Sequence, residues 1–127
     1  MNNKKILLVD DTPEILEIVK IKLEQNGFMV DTANNGKEAI EKIKFNNYDL
    51  IILDVMMPEM DGIETALEIM KINSNAKFIF FTNYGEDNPL IGKEIDEYYA
   101  KQIGASAFFR KTDDLNKIIE KINQLLS

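Results

Sequence analysis

Acidic, hydroxyl and lysine side chains follow four short apolar runs in this chain of 127 residues. They are Asp10 and Asp11, Asp54, Thr82 and Lys111. Asp54 is the most unusual of them, because it follows the apolar run LIIL and is itself followed by VMMP. Burying an unpaired carboxylate has a large free-energy cost. Its position at the end of such a run therefore suggests a chemical role.

The three aspartates would repel one another if the fold brought them together, and one would take up a proton unless a cation intervened. Mg²⁺, or Mn²⁺ in its place, is the kind of hard cation that carboxylate oxygens bind. A lysine and a hydroxyl suit the oxygens of a phosphoryl group, and a carboxylate can be the nucleophile that forms an acyl phosphate. We therefore predict that Asp54 is held at a strand end to be phosphorylated.

Each of these residues also has an ordinary structural interpretation. Asp10 and Asp11 could be turn and capping residues before a helix, and Thr82 could be a β-branched residue that ends a strand. Lys111 could be a solvated lysine, as most lysines are. The phosphorylation hypothesis depends on all of them lying at one place, so the elements that carry them decide between the two interpretations.

Five short apolar runs, bounded by turn residues, predict strands that are buried on both faces. They are Ile6–Val9, Phe28–Val30, Leu50–Leu53, Phe78–Phe81 and Ala105–Phe109. Parallel strands buried on both faces need helices on both sides of the sheet.

Helical segments with apolar spacings of three and four separate the runs. Their predicted inward-facing residues are Leu16, Val19 and Leu23; Ala39, Ile40 and Ile43; Ile63, Ala66, Leu67 and Met70; and Leu115, Ile118, Ile119, Ile122, Leu125 and Leu126. Thr12-Pro13 is a typical helix start, and Asn26-Gly27 is a typical helix stop.

Five β-α repeats predict an α/β fold of the doubly wound, flavodoxin-like type, with a five-stranded parallel sheet in the order 2-1-3-4-5. Ligands of such sheets bind beyond the carboxyl ends of the strands. The polar residues named above all follow strands, so we expect them at that edge.

Composition excludes several classes of function. The formal charge of −7 opposes binding to a phosphate backbone, so we expect no nucleic-acid partner. The chain has no Cys and no His, which excludes thiolate metal sites and a histidine base. Its apolar runs are too short for a signal peptide or a membrane span. We expect a soluble cytoplasmic protein with no membrane partner.

The sequence resembles the receiver domains of bacterial two-component response regulators over essentially its whole length. The resemblance is carried by LLVDDTPEIL, LIILDVMMPEMDG, FIFFT and GASAFFR followed by lysine. It implies that Asp54 accepts a phosphoryl group and that Asp11 and Asp54 ligate Mg²⁺ together with the Met56 backbone carbonyl. Asp10 would support the metal through water.

The same resemblance implies that Thr82 and Lys111 bind phosphoryl oxygens. Phe108 takes the position of the family's switch aromatic, although it could also be a core aromatic on the last strand. Met56 and Tyr84 lie where the family tunes the lifetime of its phosphate.

The resemblance also implies a single receiver domain over 1–127 with no output domain, acting as a switch rather than as a turnover enzyme. The phosphate donor would be a sensor histidine kinase or a histidine phosphotransfer protein. The downstream partner would be another protein, which the sequence does not identify.

Two features depart from the family pattern. Thr112 follows Lys111 where the family usually has proline, so we expect a trans peptide bond there. The segment between Thr82 and Lys111 is longer than usual by about two helical turns. We predict an irregular loop from Asn83 to Gly92, followed by a helix that starts near Lys93 and ends before Gly104.

Three other functions compete with the receiver hypothesis. A phosphatase of the haloacid dehalogenase type would need a second aspartate two residues after Asp54, where this chain has Met56. A flavodoxin-like flavin carrier would need a phosphate-binding loop after the first strand, where Asp10 and Asp11 would repel a phosphate. A phosphorylation-independent scaffold of the same fold is the third alternative.

Overall fold

Five parallel strands form one sheet in the order β2-β1-β3-β4-β5 in the computed structural model, which describes residues 3–82 and 97–127. The strands are β1 Lys5–Val9, β2 Met29–Ala33, β3 Leu50–Leu53, β4 Phe78–Thr82 and β5 Ala107–Arg110. Both the strand order and the parallel pairing agree with the prediction. The predicted fold class is therefore confirmed.

Helices lie on both faces of the sheet. In the described residues they are α1 Pro13–Gln25, α2 Gly36–Phe45, α3 Gly62–Ile72, α4 Glu97–Gln102 and α5 Leu115–Leu126. Helix α4 ends before Gly104, as predicted. The described residues do not include the predicted start of this helix near Lys93, the predicted loop 83–92 or Tyr84. None of the helices within 3–82 and 97–127 has the length and apolar character needed to cross a membrane.

The boundaries of α1 follow from local chemistry. Thr12 precedes the helix in an extended conformation and Pro13 is its first residue, where a missing N–H costs nothing. At the other end Gly27 has a φ of 90°, a left-handed conformation that glycine adopts without a Cβ penalty. The Phe28 N–H then donates to the Leu23 carbonyl at 3.2 Å, which closes the helix end.

The alternating side chains of the strands divide the core in two. One side of the sheet packs against α1 and α5, with Ile6, Leu8, Val30, Ile52, Ile79 and Phe81 among its buried residues. The other side packs with residues of α2, α3 and α4, with Leu7, Val9, Ile51, Leu53, Phe78 and Phe80 among them. Successive apolar residues of β1, β3 and β4 alternate between the two cores, as strand geometry requires.

Two details of the predicted core are wrong. Met29 is 56 % exposed, because it is the first residue of β2, which is an edge strand. Leu67 is 45 % exposed, whereas Ile69, which the predicted stripe omitted, is fully buried. At about 100° per residue, Leu67 lies about 160° around α3 from Ile69, so it is on the face turned away from the buried residues.

Candidate functional site

Asp10 and Asp54 lie side by side where β1 and β3 end. The Asp54 N–H donates to the Val9 carbonyl at 2.9 Å, and the Asp10 N–H donates to the Ala33 carbonyl at 3.1 Å. These bonds continue the sheet by one residue and fix both backbones. Both aspartates are buried, with 1 % and 2 % of their surface exposed. Asp11, the next residue, is exposed.

The three carboxylates form a cluster at the carboxyl edge of the sheet. One oxygen from each of Asp10, Asp11 and Asp54 lies within 4.8 Å of the other two. The expectation that strand ends bring these side chains together therefore agrees with the geometry. An all-oxygen set of this kind suits a hard divalent cation such as Mg²⁺.

Lys111 points into the same cluster. Its Nζ lies 2.7 Å from Asp10 Oδ2 and 3.4 Å from Asp54 Oδ2, and its side chain is only 8 % exposed. The interpretation of Lys111 as a solvated lysine is therefore wrong. The backbone N–H of Lys111 donates to the Thr82 carbonyl at 2.9 Å, which ties the end of β5 to the end of β4. Its peptide bond to Thr112 is trans, as predicted.

The environment of Asp54 raises the pKa of its carboxyl to about 7. Burial is the main cause, since it disfavours the ionised form, and the charge of Asp10 adds to it. The Lys111 ammonium and the Met56 N–H, which donates to Asp54 Oδ1 at 3.2 Å, act in the opposite direction. A cation beside the cluster would favour ionised Asp54.

Asp10 has one oxygen committed to the fold and one directed at the cluster. Its Oδ1 accepts a hydrogen bond from the Thr12 N–H at 2.9 Å, so Asp10 does stabilise the turn before α1. Within residues 3–82 and 97–127, Oδ2 accepts no hydrogen bond of ordinary geometry, although the Lys111 ammonium lies beside it. Because a buried carboxylate oxygen normally has partners, this one fits a cation or a bridging water.

Of the other predicted site residues, Thr82 and Met56 lie at the same edge of the sheet, whereas Phe108 lies further back in β5. Thr82 is buried at the end of β4. Met56 follows Asp54 in the β3–α3 loop and is partly buried. Phe108 stands opposite Phe80 in the sheet and packs, partly buried, against the core on the α3 side. That packing is what the core-aromatic interpretation predicts, so it does not by itself indicate a switch.

The loop from Asp54 to the start of α3 contains residues whose importance the sequence did not indicate. Asp61 caps α3, because its side chain accepts the Glu64 N–H and the Glu64 side chain accepts the Asp61 N–H. Gly62 is packed against the backbone of Asp54. Glu59 has a φ of 68°, a left-handed conformation that non-glycine residues rarely adopt. The Asp-Gly pair was visible in the motif, but its packing was not.

The chain is similar to known proteins over most of its length. A family model described as the response regulator receiver domain matches residues 6–123. Over 122 residues, the chain is 41 % identical to the transcriptional regulatory protein CpxR homolog of Haemophilus influenzae, covering 96 % of this chain and 50 % of that protein. It is 36 % identical to the chemotaxis protein CheY of Bacillus subtilis, covering 97 % of this chain and 98 % of that one.

A solved structure is similar over nearly its whole length. It is the response regulator TrrA of Thermotoga maritima in complex with Mg²⁺-BeF, which is 37 % identical. The match covers 97 % of this chain and 99 % of that one, with a TM-score of 0.80. The chain thus spans about half the length of the CpxR homolog and almost all of CheY and TrrA.

Proposed function

This chain belongs to the response regulator receiver domain family, and on that premise we propose that it is a signalling switch that is phosphorylated on Asp54. The observation that carries the proposal is the position of Asp54. Its buried carboxylate lies within reach of Asp10, Asp11 and Lys111 at the end of a central strand. A carboxylate beside one lysine and two further acidic oxygen ligands supports phosphoryl transfer to Asp54 with a divalent cation.

In the proposed reaction the ionised Asp54 carboxylate attacks the phosphorus atom of the donor. A carboxylate oxygen–phosphorus bond forms while the bond from phosphorus to the leaving group breaks, and the leaving group keeps the electron pair. Met56 orients the carboxylate, because its N–H holds Asp54 Oδ1. Lys111 exchanges one of its carboxylate partners for a phosphoryl oxygen. The Thr82 hydroxyl donates a hydrogen bond to a second phosphoryl oxygen.

Asp11, Asp54 and the Met56 carbonyl would hold Mg²⁺, with Asp10 contributing through a water molecule. The cation would neutralise the negative charge of the phosphoryl oxygens in the transition state. This ligand assignment follows the family pattern and is supported by the clustering of the three carboxylates. Mn²⁺ has similar ligand preferences and is the expected substitute.

The donor must be outside this chain. Because these 127 residues contain no His, a phosphohistidine would lie outside them, in a histidine kinase or a histidine phosphotransfer protein. The downstream partner would then bind a surface that phosphorylation changes through Thr82 and Phe108. The absence of an output domain, the absence of a nucleic-acid partner and a cytoplasmic location stay predictions.

The competing functions account for the site less well. A phosphatase would need an acid where Met56 stands, and a flavin phosphate would meet the carboxylates of Asp10 and Asp11. A phosphorylation-independent scaffold would not require a lysine buried between two carboxylates. We therefore propose a switch that accepts phosphate and is not a turnover enzyme.

Incubation with acetyl phosphate and Mg²⁺, followed by intact-mass measurement, tests the proposal. The wild type should gain one phosphoryl group, and Asp54→Asn should gain none while keeping its circular dichroism spectrum. Asp49→Asn, at the opposite edge of the sheet beside the start of β3, is the matched control and should label normally. Full labelling of Asp54→Asn would refute the assignment, and an unlabelled wild type would favour the scaffold.

A further inference from the structure

Two glycines begin helices next to the candidate site, Gly36 in α2 and Gly62 in α3. Neither is explained by an unusual backbone angle, because the described glycines with positive φ are Gly27 and Gly104. Both positions lack room for a Cβ, which explains why they are glycines. A Cβ on Gly62 would lie 2.8 Å from Val55 Cα, 2.9 Å from the Asp54 carbonyl carbon and closer still to the Asp54 carbonyl oxygen. Real Cβ atoms essentially never approach other atoms within 3.0 Å.

Helix α3 cannot easily withdraw to make room. The Gly62 N–H donates to the Val55 carbonyl at 2.9 Å, which holds the helix start against the strand end. The capping box of Asp61 and Glu64 fixes the first turn. Ala66 and Ile69 are fully buried one and two turns further along, and they fix the helix against the sheet.

The peptide unit on the other side of this contact carries the proposed phosphoacceptor. Asp54 is joined to β1 through its N–H and to Met56 through its Oδ1. A displacement of the Asp54–Val55 peptide would therefore move the carboxylate relative to Lys111, which lies 3.4 Å from it. A side chain at position 62 would force such a displacement, because the clashing atoms are backbone atoms.

We propose that Gly62 is a positioning residue for phosphoryl transfer: its missing side chain lets α3 press directly against the Asp54–Val55 peptide and hold the carboxylate in its reactive position. This inference rests on the proposed phosphorylation of Asp54. It assigns to the start of α3 a role in the rate of the reaction that is separate from its role in stability.

Gly36 provides a matched control within the same molecule. It is also the first residue of its helix, and a Cβ there would also be crowded, but by the side chains of Thr65 and Met60. The Met60 sulfur would lie 2.9 Å away and Thr65 Oγ1 closer still. Gly36→Ala therefore adds a similarly crowded methyl group between α2 and α3, but that methyl group does not contact the Asp54 backbone.

The experiment compares Gly62→Ala and Gly36→Ala with the wild type. Both variants should unfold at lower temperature. The rate constant for phosphorylation, extrapolated to saturating acetyl phosphate and Mg²⁺, should fall by about 10- to 100-fold in Gly62→Ala, as expected when a reacting group is misplaced by about 1 Å. In Gly36→Ala it should stay within about twofold of wild type. Saturation separates the position of Asp54 from weaker binding of the donor.

Equal rate constants in the two variants, or a normal rate in Gly62→Ala, would overturn the inference. If Gly62→Ala is partly unfolded, the measurement is repeated in sucrose, which favours the folded state. The rate per folded molecule should remain low, and recovery to the wild-type rate would also overturn the inference. A wild type that takes no label would instead refute the proposed function, so the two failures are distinguishable.

Discussion

At the scale of single residues, one lysine at the site forms ion pairs with two buried carboxylates. Lys111 lies 2.7 Å from Asp10 and 3.4 Å from Asp54, and all three side chains are removed from water. Two carboxylates and one ammonium leave the buried group with a net negative charge when both aspartates are ionised. Both the pKa of Asp54 and the stability of the metal-free protein follow from that imbalance.

Loss of the Asp54 proton should make the metal-free protein less stable as the pH rises. The pKa of this carboxyl is about 7 in the folded chain and 3.8 when unperturbed, so the folded state binds the proton more tightly. Its stabilising contribution is full below about pH 4 and is lost as the pH rises to 7 and above. Asp54→Asn lacks this titration. In EDTA, its melting temperature should therefore rise relative to wild type between about pH 5 and about pH 8.

The comparison between variant and wild type is needed because the other carboxylates of the chain titrate in the same acidic range. An equal difference in melting temperature at both pH values would mean that Asp54 is not protonated preferentially in the folded state. Saturating Mg²⁺ should remove most of the effect, since a bound cation favours ionised Asp54.

Lys111→Met should destabilise the metal-free protein strongly. It leaves Asp10 and Asp54 buried without their cation, and breaking a buried ion pair costs on the order of 3–5 kcal/mol. We expect a loss of about 3 kcal/mol, because Asp54 can relieve part of the cost by taking up a proton. Urea unfolding in EDTA measures the loss, and added Mg²⁺ should recover part of it.

Lys117→Met, on the exposed side of α5, is the control for losing one lysine and should change stability by less than about 0.5 kcal/mol. A Lys111→Met variant as stable as this control in EDTA would show that the buried ion pairs do not contribute to stability. Mg²⁺ should still bind to Lys111→Met, because the lysine is not one of the proposed metal ligands.

At the scale of elements, the loop between β3 and α3 connects the site to the rest of the fold. Its middle is a tight three-residue turn, in which the Met60 N–H donates to the Pro58 carbonyl at 2.7 Å and Glu59 between them has a φ of 68°. A positive φ in such a turn is strained for a residue with a side chain. Its other end is the capped start of α3 against Asp54.

Substitutions of Glu59 should reveal that strain. Glu59→Val should be less stable than Glu59→Gly by about 1–3 kcal/mol, because a β-branched residue tolerates positive φ poorly. Glu59→Ala should remain close to wild type, since the exposed ion pair of Glu59 with Lys37, at 3.9 Å, contributes little. Chemical denaturation of the three variants measures the order, and equal stability of the valine and glycine variants would exclude strain at this position.

At the scale of the whole molecule, one sheet joins two cores. Successive residues of β3 illustrate this: Ile52 lies in the core on the side of α1 and α5, and Leu53 lies in the core on the side of α3. Both cores share the backbone hydrogen bonds of the central strands. We therefore expect the domain to unfold as one cooperative unit.

Ile52→Ala and Leu53→Ala test this expectation. Each should lower the free energy of unfolding by about 2–5 kcal/mol, because each removes a fully buried side chain and leaves a cavity. Each variant should keep one transition that coincides by far-UV circular dichroism and by tyrosine fluorescence. Two separate transitions in either variant would mean that the halves of the core unfold independently.

Much of the architecture could be predicted from local patterns. Runs such as LIIL and the periodicity of α5 depend only on neighbouring residues, so they indicated the strands, the helices and the layered fold. Residue types at the strand ends indicated the site, because parallel strands bring their carboxyl ends to one edge. The exposure of Met29 and Leu67 was missed, because an apolar residue type does not show which positions of a strand or helix other elements cover.

Other properties exist only after folding. The pairing of Lys111 with Asp10 and Asp54 joins residues about 57 to 101 positions apart in the chain and depends on the alignment of β1, β3 and β5. The raised pKa of Asp54 requires burial, and the role of Gly62 requires contact between a helix start and a strand end. Residue identity and spacing are local quantities, whereas these distances and the exclusion of water arise from packing between elements distant in sequence.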